Sequence, residues 1–102
     1  SRGPKPYRLR VRALEDLEGI WLYTSTHWSV DQAAQYIRQL IAGLELLVTE
    51  PEIARERTEL NPPVRIHTVA SHLIIYQIEV DHLDIVRIRH VREDWINDPF
   101  GD

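Results

Sequence analysis

The chain has 102 residues, of which 43% are apolar and 27% charged, and its formal net charge is −4. That length suits one domain, the absence of cysteine excludes a disulfide framework, and the acidic balance argues against a general nucleic-acid binder. No apolar run approaches the roughly 20 residues of a membrane helix and none resembles a signal peptide, so a cytoplasmic protein with no membrane contact is expected.

Tyr7-Arg8-Leu9-Arg10-Val11 alternates apolar and cationic residues, which predicts a short strand with one arginine face. A helix is expected from about Arg12 to Thr26, where Leu14, Leu17, Ile20, Trp21 and Thr24 fall near helical spacing. Ser29-Val30-Asp31-Gln32 reads as a capping box. It opens a second helix with an apolar stripe through Ala33, Tyr36, Ile37, Leu40, Ile41, Leu44, Leu47 and Val48, ending near Thr49 before Pro51. The short link from Thr26 to Trp28 makes the pair an antiparallel helical hairpin.

Residues 50–63 carry charge, three prolines and no periodicity, and read as a loop. Val64 to Val69 is the next strand. Leu73 to Val80 and Asp84 to Val91 form a β-hairpin turning at Asp81-His82. The tail carries Trp95 and reaches the breaker Asn97-Asp98-Pro99. Residues 1–6 and 96–102 are read as loose termini of a single domain covering residues 1–102.

The order β-α-α-β-β-β gives an α+β, two-layer fold, with the helical hairpin packed on one face of a small, mainly antiparallel sheet. Strict alternation then places Arg8, Arg10, Arg65, His67, Arg87 and Arg89 on the other, open face. Lys5 is the only lysine, and every other cationic side chain is arginine, the residue suited to gripping carboxylate or phosphate with a planar fork. A solvated face paired with neighbouring acids is the plainer reading of these arginines.

The histidines show no metal-ligand spacing with a supporting carboxylate, so no metal and no cofactor is expected. Ser71-His72 are adjacent in sequence, which is poor geometry for a nucleophile and its base. His72 is expected to bond backbone, and His67 and His90 to be packing groups. Alternation sets His90 opposite Arg87, so no catalytic set is assigned. Trp21, Trp28 and Tyr36 on the helical hairpin are either packing residues or anchors for a partner helix laid in a groove. Trp95 either folds back on the sheet or belongs to an interface.

The chain resembles the ParE branch of the RelE/ParE toxins. The resemblance is carried by Leu14, Asp16, Leu17, Ile20, Trp21 and Tyr23, then by Trp28, Ala33, Tyr36 and Pro51. Its most specific parts are Ser71-His72-Leu73-Ile74-Ile75-Tyr76 and Ile85-Val86-Arg87-Ile88-Arg89-His90, followed by Arg92 and Asp94. Ala70 departs from the family's pattern, in which glycine is frequent. The resemblance implies the toxin of a type II toxin–antitoxin system that inhibits DNA gyrase by binding and is neutralised by a ParD-like antitoxin. Contact with DNA is then indirect, through an antitoxin in a hetero-oligomer, for which a heterotetramer is one form. Antitoxin contacts are expected at Trp21, Trp28, Tyr36, Arg65, Arg87 and Arg89, and target contacts at Arg87, Arg92 and Trp95. The alternatives are a RelE-like ribosome-dependent endoribonuclease and a detoxified relative that still binds antitoxin.

Overall fold

The computed structural model describes residues 6–97. The outer parts of the two segments read as loose termini, 1–5 and 98–102, lie outside the described residues. Inside them, Pro6 already accepts a hydrogen bond from the Leu83 amide at 2.9 Å.

The elements are β1 (Tyr7–Leu9), α1 (Val11–His27), α2 (Val30–Thr49), β2 (Glu56–Arg57), β3 (Val64–Val69), β4 (His72–Ile78) and β5 (Leu83–His90). The order therefore matches the expected one, with a two-residue strand, β2, added inside the proline-rich loop. The sheet runs β1-β5-β4-β3-β2. β1 pairs with β5 in parallel, and the other neighbours are antiparallel.

Helix boundaries follow from local chemistry. Ser29 caps α2 by accepting the Gln32 amide at 3.0 Å, which satisfies one of the amides a helix start leaves unpaired. α1 closes when the Trp28 amide donates to Thr24 O at 2.9 Å, so only Trp28 and Ser29 join the helices. α1 begins at Val11, one residue earlier than alternation suggested. Arg10 ends the strand, its amide donating to Ile85 O at 3.0 Å, and its own carbonyl accepts from Leu14 at 2.9 Å.

The main core lies between the helical hairpin and the sheet. Ala13 and Leu17 of α1, Leu40, Leu44 and Leu47 of α2, and Ile74, Tyr76, Leu83, Ile85 and Ile88 of the sheet meet there. Gly43 lets α2 approach β3, because a Cβ at this position would lie 2.5 Å from Val69 Cγ2. A second cluster of Val64, Ile75 and Val86, flanked by Leu60 and Ile66, covers the opposite face.

That second cluster corrects the expected open arginine face. In β3, Arg65 and His67 lie opposite Tyr76 and Ile74, which belong to the main core. Directly opposed side chains share a face, so Arg65 and His67 stand on the helix side, while Val64 and Ile66 serve the second cluster. In β5 the register slips. Tyr76 pairs with Ile85 and Ile75 with Arg87, leaving Val86 between them. This is a β-bulge, with two residues opposing one. It lets Ile85 and Ile88 both enter the main core and turns Val86 and Arg87 to the far side. Alternation through Val86 had placed Ile85 with the arginines. Of the arginines expected there, Arg65 alone changes face; Arg87 and Arg89, opposite Ile75 and Leu73, keep it with Arg8 and Arg10, and Arg10 clamps Asp84 at 2.7 Å.

Candidate functional site

Asp16 organises the junction between α1 and the sheet. β1 ends opposite Ile85, so the outer edge of β5 beyond that point has no strand beside it. Asp16 fills the gap, accepting the Ile88 amide at 2.9 Å. Its carboxylate also takes both arms of Arg87, from Nε at 2.7 Å and Nη2 at 2.8 Å. Arg87 is 8% exposed and half-buried Asp16 neutralises it, so the guanidinium is committed inside the protein. Arg89 is buried in the same way, with Nε 3.4 Å from Glu93 Oε1.

Beside this junction is a cavity of about 680 Å³. α1 supplies Glu15, Asp16 and Tyr23 to it, the interhelical link Trp28, and α2 Tyr36, while the hairpin contributes Ser71, His72 and His90, and the turn after β5 gives Glu93. Glu15, Gly19 and Tyr23 reach one wall because helical residues four apart share a face.

Hydrogen bonding fixes the polar groups at the cavity floor. Ser71 N donates to Tyr36 Oη at 3.1 Å, and the same hydroxyl is hydrogen-bonded to His72 Nδ1 at 2.6 Å. The Arg92 amide donates to His90 Nδ1 at 3.0 Å. Of the two rings, that of His90 thus uses Nδ1 as an acceptor and, when neutral, carries the proton on Nε2. They meet edge to face with centroids 5.1 Å apart. Burial holds the pKa of His72 below its ordinary value, and the neighbouring His90 adds to this against the pull of Glu93 and Asp16. Glu93 also accepts the His90 amide at 2.8 Å.

Chemically, the cavity presents carboxylates, aromatic rings and imidazole N–H groups. No lysine or arginine is among the described residues that line it, so an entering phosphate would meet carboxylates with no cation facing it. Among the described residues no group of three or more His, Asp, Glu or Cys is placed to hold a metal ion, and no helix is long and apolar enough to cross a membrane.

The expected site residues are dispersed. Trp28 and Tyr36 come together in this cavity. Trp21 does not: it lines a separate apolar groove of about 490 Å³ with Leu17, Leu22 and Ile37. Arg87 and Arg89 stand behind the cavity wall, each facing a carboxylate. Arg65 is remote, donating to Ala54 O at 2.6 Å. Arg92 is exposed just past β5. Trp95 folds back so that the Arg57 guanidinium lies 5.5 Å above its ring. His72 bonds a side chain, Tyr36, and not backbone as expected.

Glu15, Glu93 and the approach of His72 to His90 were missed. The four-residue recurrence of Glu15, Gly19 and Tyr23 was the available signal for the first. The others depend on the bulge and on the turn after β5.

Over residues 7–95 the chain matches the family model described as the ParE toxin of the type II toxin–antitoxin system, parDE. It is 37% identical over 86 residues to Toxin ParE1 of Caulobacter vibrioides, covering 84% of this chain and 88% of that protein. It is 36% identical over 89 residues to Toxin ParE1 of Mycobacterium tuberculosis, covering 86% of this chain and 91% of that one. Its fold is similar to that of a chain solved as the chromosomal ParDE TA system from P. aeruginosa, with a TM-score of 0.75 and 17% identity, covering 86% of this chain and 97% of the other.

Proposed function

The chain belongs to the ParE toxin family of type II toxin–antitoxin systems, and from that premise we propose that it acts in the cytoplasm by binding. It inhibits DNA gyrase and is neutralised by a ParD-like antitoxin in a hetero-oligomer, touching DNA only through that partner. The observation that carries this reading is the family match across residues 7–95. The cavity chemistry agrees with it. A ribonuclease needs cations facing the scissile phosphate as well as a base and an acid. Here Arg87 is occupied by Asp16 and the cavity is walled by carboxylates.

The antitoxin covers the helical hairpin, with Trp28 and Tyr36 as anchors in the cavity and Trp21 in the neighbouring groove. Trp28 is 70% exposed and Tyr23 61%, and aromatic residues of this kind carry much of the binding energy at protein interfaces. Arg87 and Arg89 serve that surface from behind by holding Asp16 and Glu93, and Arg65 supports the loop at Ala54. Arg92 and Trp95, beyond β5, are assigned to the target.

Induced expression in a bacterial host tests the reading. Growth should stop with damaged chromosomes and intact messenger RNA, and co-expression of the antitoxin should restore it. Messenger RNA cut at the ribosome in a translating extract would establish the ribonuclease reading instead. Unimpaired growth with retained antitoxin binding would mark a detoxified relative.

A further inference from the structure

The cavity at the helix–hairpin junction has a charge and shape that specify its guest more narrowly than an apolar groove would. Its mouth is framed by the exposed rings of Tyr23 and Trp28. Three carboxylates line it, those of Glu15, Asp16 and Glu93, and no lysine or arginine does among the described residues. The arginines that pair with Asp16 and Glu93 are not among the lining residues; Asp16 is taken up by Arg87, which leaves the more exposed Glu15 and Glu93 as the carboxylates open to a guest. Glu15 is exposed and forms an ion pair with Arg12 of the preceding turn at 3.7 Å, a contact that solvent screens. The two imidazoles add no cation in their neutral form.

We propose that this cavity takes the guanidinium of an arginine side chain, carried on an apolar segment of the protein partner that neutralises the chain. A guanidinium is planar and weakly hydrated, so it can lie against an indole or phenol face while its N–H groups reach a carboxylate. The charged hydrogen bonds to Glu15 and Glu93 are of the stronger kind, and the apolar flanks of the segment rest on Ile20, Tyr23 and Trp28 around the mouth. The polarity is the reverse of an arginine-bearing toxin gripping an acidic arm. On this side of the molecule the toxin supplies the acid and the partner the base. The inference rests on the reading of the chain as a toxin neutralised by a protein.

The test uses the isotope-labelled full chain and three leucine-rich amphipathic peptides that differ only at one central residue: arginine, norleucine or glutamate. Binding is followed by the amide signals of Tyr23 and Ser71 and the indole signal of Trp28. The arginine peptide should bind about tenfold more tightly than the norleucine peptide, and the glutamate peptide most weakly. Glu15→Gln should lower the affinity for arginine severalfold toward that for norleucine, Glu93 keeping its share, and leave norleucine binding unchanged. Equal binding of arginine and norleucine, tighter binding of glutamate, or unmoved cavity signals with all three would overturn the proposal. These titrations use the chain alone, so they stand whether or not it inhibits gyrase. Conversely, capture of the antitoxin at full strength by the Glu15→Gln chain would sink this proposal and leave the reading as a neutralised toxin intact.

Discussion

Ala70 has φ of 53°, in the left-handed region that costs an L-residue roughly 1–2 kcal/mol. It turns β3 into β4 and sets the position of Ser71 and His72 on the cavity floor. Ala70→Gly should therefore stabilise the protein by about 1 kcal/mol in urea denaturation, and destabilisation would contradict the strain. Asp16 and Arg87 work in the other direction. Asp16→Asn leaves a buried guanidinium without its counter-charge and should cost about 3 kcal/mol in the same measurement. Arg87→Ala strips the carboxylate of both arms, so any loss of antitoxin affinity in that variant reports on a disturbed scaffold as much as on a contact. Trp28→Ala is the cleaner probe of contact, since the side chain is largely exposed: it should weaken antitoxin binding with little change in stability. His72 gives a pH signature. Its folded pKa lies below the ordinary 6.5, so the unfolded chain binds its proton first as the solution is acidified. The contribution is intact above about 6.5 and is lost as pH falls through the lower folded value. His67 titrates in the same sense through burial. His72→Gln should lose less stability than the wild type between about pH 7.5 and pH 5, with groups common to both proteins cancelling. Equal losses would remove His72 from the account.

α2 was legible because its boundaries have local chemistry, the Ser29 cap and the following Pro51, with the apolar stripe between them, whereas α1 was read from its apolar spacing and starts without a side-chain cap. Ser29→Ala should cost about 1 kcal/mol. Gly43 marks where that stripe touches the sheet. An added methyl group meets Val69 Cγ2, on a β-branched side chain with little freedom to move, so Gly43→Ala should cost about 1–3 kcal/mol in thermal or urea unfolding. A neutral result would mean that α2 can shift away from β3. The strands were legible as segments but not in their facing. β5 carries Ile85 and Val86 side by side, and nothing in an apolar pair says which one the ladder will skip. The bulge resolves that through pairing with β4, a contact between distant segments. It decides where Arg87 lies and hence how the guanidinium comes to meet Asp16. β2 was missed because two residues in a proline-rich loop carry no periodicity, and it exists only by pairing with Val64 and Arg65.

At the scale of the molecule, the sheet is apolar on both faces at its centre, and its arginines are drawn to edges and ends. Composition alone suggested a surface that grips acids. In the fold, Arg10, Arg87 and Arg89 face Asp84, Asp16 and Glu93 of the same chain. The aromatic part of the cavity was legible as far as Trp28 and Tyr36 belong to one helical hairpin, where packing and anchoring a partner were both open; Tyr36 also packs on the core. The acidic part was not, because Glu15 and Glu93 meet only once α1, β5 and the following turn are assembled. We propose above all that this chain is a toxin acting on gyrase by binding. Supercoiling of relaxed plasmid by purified gyrase, titrated with the purified chain, tests it most directly. Supercoiled product should fall with dose and return when the antitoxin is added, with messenger RNA in a translating extract left whole. Undiminished supercoiling at molar excess of a folded chain would contradict it.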